Sequence, residues 1–211
     1  MPFLFFHLII HRFLCCNVLE KTSTRYFFIL TTSFFLLSNF FYFLLTVFED
    51  AMINYQKAAD FFIAENAAST AAKCTGKIAY LAAKTDPPDY ERAAQEFEKV
   101  GRESLASNLL KFGAKGNFFN ATICTLARGD IVAAEGSLNR FKEMDYTFGG
   151  SRECKLLEDV VTAYKDGNMD AFTDAVYNFD QISKLDPWRT TILLKIKTEM
   201  QKSQGEGSDL T

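Results

Sequence analysis

The chain has 211 residues, a formal net charge of −3 and 48% hydrophobic residues. That length suffices for one domain with a substantial core or for two small domains. A net charge so close to zero argues against a protein whose main work is to neutralise nucleic-acid phosphates, and we expect no nucleic acid among its partners. Any basic binding site in this chain must therefore be a local patch.

The first 48 residues differ in composition from the rest of the chain. They contain 12 of the 22 phenylalanines, no glycine, no alanine and only four charged residues. From residue 49 the sequence is rich in alanine and shows helical periodicity. These differences predict a hydrophobic Phe-rich segment at 1–48, a helical domain at 49–203 and a flexible acidic tail at 204–211.

Within the Phe-rich segment, residues 26–48 form an uncharged stretch of 23 residues, long enough to span a bilayer as a helix. Three interpretations stay open: a membrane span, an interfacial or buried segment, and translated intron sequence. A span would place the C-terminal part outside the cytosol, because Arg12, Lys21 and Arg25 precede it. However, the cysteines form no disulfide framework, and the Asn-x-Thr sequence at 120–122 lies in a predicted helix. We therefore expect a cytoplasmic, peripherally membrane-associated protein.

A short pattern recurs in the helical part, in which a large apolar residue follows a small one by four positions. The pairs are Ala51/Tyr55, Ala93/Phe97, Ala134/Leu138 and Ala175/Phe179. Their spacing predicts an internal repeat of about 41 residues, which is typical of an α-solenoid built from two-helix units. The predicted fold class is all-α, a solenoid of TPR-like helical hairpins in which each unit buries its apolar stripe against the next.

Capping residues indicate where helices begin and end. The sequence Asp-Pro-Pro-Asp at 86–89 separates two helices, and Gly101 is predicted to end the helix that contains Phe97. Ser151 is a predicted N-cap. Asp186, which precedes a proline, is predicted to cap a last helix that extends to about Lys202.

The helical part lacks the side chains that most catalytic and metal sites use. Both histidines, His7 and His11, lie in the Phe-rich segment, so no imidazole remains for acid–base catalysis or metal binding. Cys74, Cys124 and Cys154 lack metal-ligand spacing and are predicted to be small buried residues. We therefore expect no enzyme activity, no cofactor and no metal.

Basic residues recur at the repeat spacing on the predicted second helices of the units. Lys73 and Lys77 share a helix face, and Lys115 and Lys155 follow Lys73 at about the repeat period of 41 residues. Arg152 lies one turn before Lys155. Because second helices of successive units stack side by side, the spacing predicts a basic surface that suits an acidic, elongated partner. The alternative interpretation is that these are ordinary solvated side chains.

Several longer segments resemble the soluble NSF attachment protein (SNAP) family. They are YERAAQEFEKVG at 90–101, LLKFGAKGNFF at 109–119, SRECKL at 151–156, FDQISKLDPW at 179–188 with the following TTILLKIK, and the closing Asp-Leu at 209–210. The resemblance implies a twisted sheet of helical hairpins that ends in a small helical bundle. It also implies an adaptor, not an enzyme, which binds assembled SNARE complexes and recruits and stimulates the NSF ATPase.

The resemblance further implies roles for individual residues. Positions that contact the SNARE four-helix bundle in this family match Lys73, Lys77, Lys115 and Arg152, with Lys155 beside them. Positions that engage the hexameric NSF ATPase match Asp130, Asp166, Asp209 and Leu210. Glutamates common in the family are replaced here by Thr162 and Lys165, so we expect a weaker ATPase contact.

A large part of the family pattern has no counterpart in this chain. The Phe-rich segment stands where the family has its early hairpins and a short hydrophobic loop that touches the membrane. Two further interpretations therefore stay open beside the adaptor: a membrane-anchored helical-repeat scaffold for other partners, and a truncated, non-functional member of the family.

Overall fold

The computed structural model describes residues 46–108 and 110–206, with side chains to residue 202, and these belong to one compact unit, 45–211. All regular structure within the described residues is helical, which confirms the predicted all-α class. The helices are α1, described over 46–64, α2 (Ala68–Ala82), α3 (Tyr90–Ala106), α4 (Lys111–Ala127), α5 (Ile131–Met144), the short α6 (Tyr146–Gly149), α7 (Arg152–Lys165), α8 (Met169–Ile182) and α9 (Pro187–Glu206).

The uncharged stretch 26–48 falls outside the described residues except for its last three positions, which belong to α1. Among the helices that the structure describes, none is both long and apolar enough to cross a bilayer. The three interpretations of the Phe-rich segment therefore stay predictions. The flexible tail predicted at 204–211 begins inside the last helix, and its residues 207–211 lie outside the described residues. The last helix itself extends four residues past the predicted end, to Glu206.

Successive helices pack as hairpins, and the C-terminal helices close into a bundle. α3 packs against both α2 and α4, α4 packs against α5, and α7 packs against α8. α7 also reaches back to α4 and α5, while α9 packs against α4 and α8. This is the predicted solenoid of hairpins that ends in a small helical bundle, with α4 in contact with four neighbouring helices.

The central position of α4 follows from its composition. Every residue from Phe118 to Ala127 is buried, and a helix that is apolar on all sides must be enclosed by other helices. Its two buried threonines bond locally, since the Thr122 hydroxyl donates to the Phe118 carbonyl at 2.9 Å and the Thr125 hydroxyl donates to the Ala121 carbonyl at 3.0 Å. The Asn-x-Thr sequence at 120–122 lies in this buried helix, as predicted.

The prediction that Gly101 ends α3 is wrong, because α3 continues to Ala106. Gly101 lies buried inside the helix, where a Cβ atom would be 2.6 Å from Cε1 of Phe118. The Phe118 ring is itself stacked on Phe141 at 4.4 Å and contacts Phe148 at 5.7 Å, so it has no room to withdraw. Glycine is needed here because α3 and α4 approach closely.

The repeat pattern identifies the core of the second and third units but not of the first. Ala93, Phe97, Ala134 and Leu138 are buried, and the fourth pair is half-buried. In α1 the prediction is wrong, because Tyr55 is 37% exposed and the buried positions are Met52 and Ala59. Tyr55 lies one turn from each of them, at the edge of the same face, where no further described helix covers it.

The predicted helix starts are confirmed. The Ser151 hydroxyl accepts a hydrogen bond from the Cys154 amide at 3.2 Å, and the Asp186 carboxylate accepts one from the Arg189 amide at 2.9 Å. Of the three cysteines predicted to be buried, Cys124 and Cys154 are buried and Cys74 is half-buried. Burial raises the pKa of the Cys124 thiol well above its ordinary value, so this thiol stays protonated and behaves as a small apolar residue.

Gly101→Ala should lower the free energy of unfolding by about 1–3 kcal/mol, because the added methyl overpacks the contact with Phe118. Urea denaturation followed by far-UV circular dichroism measures this. Gly76→Ala is the matched control, since it also lies inside a helix but has no atom within 4 Å of its added Cβ. The control should stabilise by about 0.5–1 kcal/mol through helix propensity alone. Equal gains in both variants would contradict the close approach.

Candidate partner-binding surface

Lys73 and Lys77 lie on the solvent face of α2. Both side chains are exposed, whereas Ala71, Ile78 and Ala82 on the opposite face are buried. The 3.6-residue period of the helix produces this division, because lysines four residues apart point the same way. The two predicted cations of α2 therefore form one continuous positive face.

The other three predicted cations lie near the N-termini of α4 and α7, Lys115 in the second turn of α4 and the other two in the first turn of α7. Lys115 is half-buried beside the buried Ala114, while Arg152 and Lys155 are exposed. Because α4 packs against α7, these side chains come from adjacent helices, as the repeat spacing predicted. We call Lys73, Lys77, Lys115, Arg152 and Lys155 the basic surface.

None of the five cations of the basic surface has a carboxylate within 4.0 Å among the side chains described, 46–108 and 110–202. Most cations on α3 and α5, by contrast, are paired. The ion pairs between different helices are Arg92 with Glu49, Arg128 with Glu91, Arg140 with Glu98, Lys142 with Glu158, and Lys165 with Glu135. The cations of the basic surface on α2, α4 and α7 are therefore available to act on a partner.

The first turn of α9 lies between the α2 and α4 parts of the basic surface. The backbones of α2 and α4 hardly approach each other, and side chains in the first turn of α9 contact both helices. Trp188 of α9 stacks on Tyr80 of α2 at 4.4 Å between ring centroids and meets Phe97 at 5.4 Å. Its neighbour Arg189 donates from Nε to Oδ1 of Asn120 in α4 at 2.8 Å. The prediction that α2 and α4 stack side by side is therefore wrong in detail.

Asp186 completes the junction between α2 and α9. The Tyr80 hydroxyl donates to its carboxylate at 3.4 Å, in addition to the capping bond from the Arg189 amide. Burial, together with the neighbouring Asp186 charge, raises the pKa of the Tyr80 hydroxyl. The tyrosine is thus held as a neutral donor at the junction.

The predicted acidic residues lie at turns between hairpins. Asp130 caps α5 by accepting the Ala133 amide at 2.8 Å, and Arg128 donates to it at 2.9 Å. These two bonds lower the pKa of the Asp130 carboxyl, which is therefore ionised at neutral pH. Asp166, at the C-terminus of α7, is exposed. Asp209 and Leu210 lie outside the described residues.

An ion pair brings the two acidic turns together. Lys165, which precedes Asp166, pairs with Glu135 in the second turn of α5, so the charge introduced by this lysine is offset by a neighbouring acid. An open cleft of about 570 Å³ adjoins the turn before α5. It is lined by Glu91, Arg128, Gly129, Asp130, Ile131 and Val132. We call Asp130, Glu135 and Asp166 the acidic turns.

With the fold and both surfaces described, comparison with known proteins identifies the family. The family model for soluble NSF attachment protein, SNAP, matches residues 43–201. The chain belongs to this family.

Individual relatives agree with the family model. The chain is similar to an alpha-soluble NSF attachment protein of Vitis vinifera, with 45% identity over 78% of this chain and 56% of the relative. It is similar to the human alpha-soluble NSF attachment protein, with 37% identity over 77% of this chain and 53% of the relative. A probable vesicular-fusion protein sec17 homolog of Schizosaccharomyces pombe is 37% identical over 72% of this chain and 52% of the relative. The chain thus spans about half the length of the curated relatives it matches.

Sequence reasoning found the cap at Asp186 but missed the junction formed by Trp188 and Arg189. Both residues lie off the repeat spacing, so a search for periodic cations passes over them. The available signal was the single tryptophan of the chain directly after a helix start, a position where a large aromatic side chain indicates a helix junction. Trp188 is only 7% exposed, in keeping with that role.

Trp188→Ala should lower the free energy of unfolding by about 3–5 kcal/mol, because it removes the aromatic contact that holds α9 against α2 and α3. Far-UV circular dichroism during urea denaturation is the measurement, since the substitution removes the only tryptophan. Trp188→Phe, which keeps a stacking ring, should cost less than half as much. A loss as large for phenylalanine as for alanine would show that the Tyr80 stack is not what holds the junction.

Proposed function

We propose that the chain is an adaptor that binds the assembled SNARE four-helix bundle through its basic surface and recruits and stimulates the NSF ATPase. The observation that carries this proposal is the set of five cations without acidic partners among the described side chains, spread over α2, α4 and α7 in a member of the NSF attachment protein family. A four-helix bundle with acidic residues on its surface is long enough to meet all three helices.

The exposed cations and the packing of the helices contribute to binding in different ways. Exposed cations act over about 10 Å at moderate salt, so they attract and orient an acidic partner before contact. The packed helices then hold the cations at fixed spacing, because α4 is enclosed and cannot shift alone. The solenoid thereby transmits force between the bound bundle and the ATPase.

The acidic turns and the C-terminal residues are the proposed contact for NSF. Asp130, Glu135 and Asp166 present carboxylates at one pair of turns, and Asp209 and Leu210 would add a charged and an apolar group. The adaptor has no catalytic step or cofactor of its own, because the chemistry is ATP hydrolysis by its partner. We place it in the cytoplasm and peripherally at membranes, where assembled SNARE complexes are found.

Neutralising the basic surface should weaken SNARE binding. Lys115→Gln and Arg152→Gln are each expected to raise the dissociation constant about three- to ten-fold at low salt and less at high salt, because screening shortens the reach of the lost charge. Binding of the purified four-helix bundle, measured by titration at two salt concentrations, tests this. Arg140→Gln removes the same charge where Glu98 already offsets it and should change binding little.

A loss of SNARE affinity that does not depend on salt concentration would contradict electrostatic binding by the basic surface. Equal losses for Arg140→Gln and Lys115→Gln would show that only total charge matters. Carbonate-resistant membrane association without SNARE binding would favour the membrane-anchored scaffold.

Substitutions at the proposed ATPase contact should separate SNARE binding from the stimulation of NSF. Leu210→Ala and Asp166→Asn are expected to leave SNARE binding intact and to reduce the stimulation of NSF. ATP-dependent SNARE disassembly by NSF with the full chain is the measurement, with titration of SNARE binding in parallel. Asp130→Asn keeps a good capping residue on α5 while removing the charge, so a loss of stimulation there would come from the carboxylate itself. SNARE binding without any disassembly by the unaltered chain would favour the truncated, non-functional product.

A further inference from the structure

Arg189, in the first turn of α9, is held in place by three contacts. Its Nε donates to Oδ1 of Asn120 at 2.8 Å and lies 3.3 Å from Oδ2 of Asp186. The guanidinium lies over the ring of Phe119, 5.0 Å from its centroid. An arginine that is stacked on an aromatic ring and bonded at Nε has few remaining rotamers.

The other end of the same guanidinium is open. Its Nη1 and Nη2 atoms have no hydrogen-bond acceptor among the side chains and backbone that the structure describes. The side chain is 23% exposed, so it is only partly covered. Gly116 of α4 leaves room for it, because a Cβ atom there would be only 3.4 Å from Nη2. The Nη1/Nη2 end of the guanidinium, which can form a bidentate bond with a carboxylate, is therefore free.

Arg189 lies between the two parts of the basic surface that α2 and α4 supply. Gly116, beneath its Nη2 atom, directly follows Lys115 on α4. On the other side, Trp188 stacks on Tyr80, which lies one turn from Lys77 on α2. The first turn of α9 thus fills the space where α2 and α4 do not meet, and it places a cation there.

We propose that Arg189 is a further partner-binding residue, which pairs through Nη1 and Nη2 with a carboxylate of the acidic helical bundle. This inference rests on the proposed function of the basic surface. Because Asn120 and Phe119 already restrain the side chain, binding costs less conformational entropy than ordering a free lysine. Asp186 occupies the Nε side and leaves the bidentate end to the partner.

Titration of the SNARE four-helix bundle against the full chain tests the proposal. Arg189→Gln should raise the dissociation constant about two- to five-fold at low salt, less than Lys115→Gln does, because Asp186 already offsets part of the Arg189 charge and the main loss is the bidentate bond. Arg189→Lys keeps the charge but lacks the fork, so it should recover part of the loss. Arg140→Gln, outside the surface, is the control and should bind as the unaltered chain does.

A second variant leaves Arg189 and its anchors in place. Gly116→Asp puts a carboxylate beside Nη2 and should weaken binding, whereas Gly113→Asp adds the same charge on α4 where the Cβ faces open space. In the presence of Arg189→Gln, the change at Gly116 should cost clearly less than it does alone. Fluorescence of Trp188 and thermal denaturation confirm that each variant keeps the junction folded.

The outcomes distinguish this inference from the proposed function. If Arg189→Gln folds and binds as the unaltered chain does while Lys115→Gln binds weakly, Arg189 is not a contact. The proposal that the basic surface binds the SNARE bundle is then still supported. Additive effects of Gly116→Asp and Arg189→Gln would also overturn the inference. If neither Lys115→Gln nor Arg189→Gln affects binding, the basic surface is not the SNARE contact and the inference fails with it.

Discussion

The enclosure of α4 is the constraint on which the rest of the structure depends. A helix with ten consecutive buried residues has no solvent face along that length, so other helices must cover every side of it. α3, α5, α7 and α9 do so, and their closest approach, at Gly101 and Phe118, has no spare volume. The exposed N-terminal turns of α4 and α7 are thereby fixed relative to each other. This apolar packing therefore holds the widely spaced cations of the basic surface at fixed positions.

The ion pairs between helices follow the order of the helices in the solenoid. The cross-helix ion pairs link α1 to α3, α3 to α5, and α5 to α7. Such exposed pairs add little to stability, but they cancel the field of the cations involved. The basic surface on α2, α4 and α7 keeps its cations unpaired among the described side chains. Five cations thus stay free of carboxylate partners within the described side chains, although the chain as a whole carries a small negative charge.

Periodic features were predictable from the sequence, and close contacts between distant segments were not. The spacing of Ala93 and Phe97 identified the core of a unit, and Ser151 and Asp186 identified helix starts, because each depends on neighbours within a few residues. Gly101 was misread as a helix end, since only the structure shows the Phe118 ring against it. Of the five basic positions, Lys73, Lys115 and Lys155 were predicted from the repeat spacing, and Lys77 and Arg152 from lying one turn away on the same helices. The contribution of α9 was missed because it depends on how the C-terminal helices fold back onto α2 and α4.

The burial of Asn120 restricts which modification its side chain can carry in the folded protein. It stands in an Asn-x-Thr acceptor sequence, and its side-chain oxygen accepts a hydrogen bond from Arg189 in a position only 8% exposed. Oligosaccharide is attached to such asparagines while the chain is still unfolded, and a sugar there could not be accommodated beside α9. Glycosylation at Asn120 and packing of this helix are therefore mutually exclusive. The fold forms only in chains whose Asn120 carries no oligosaccharide.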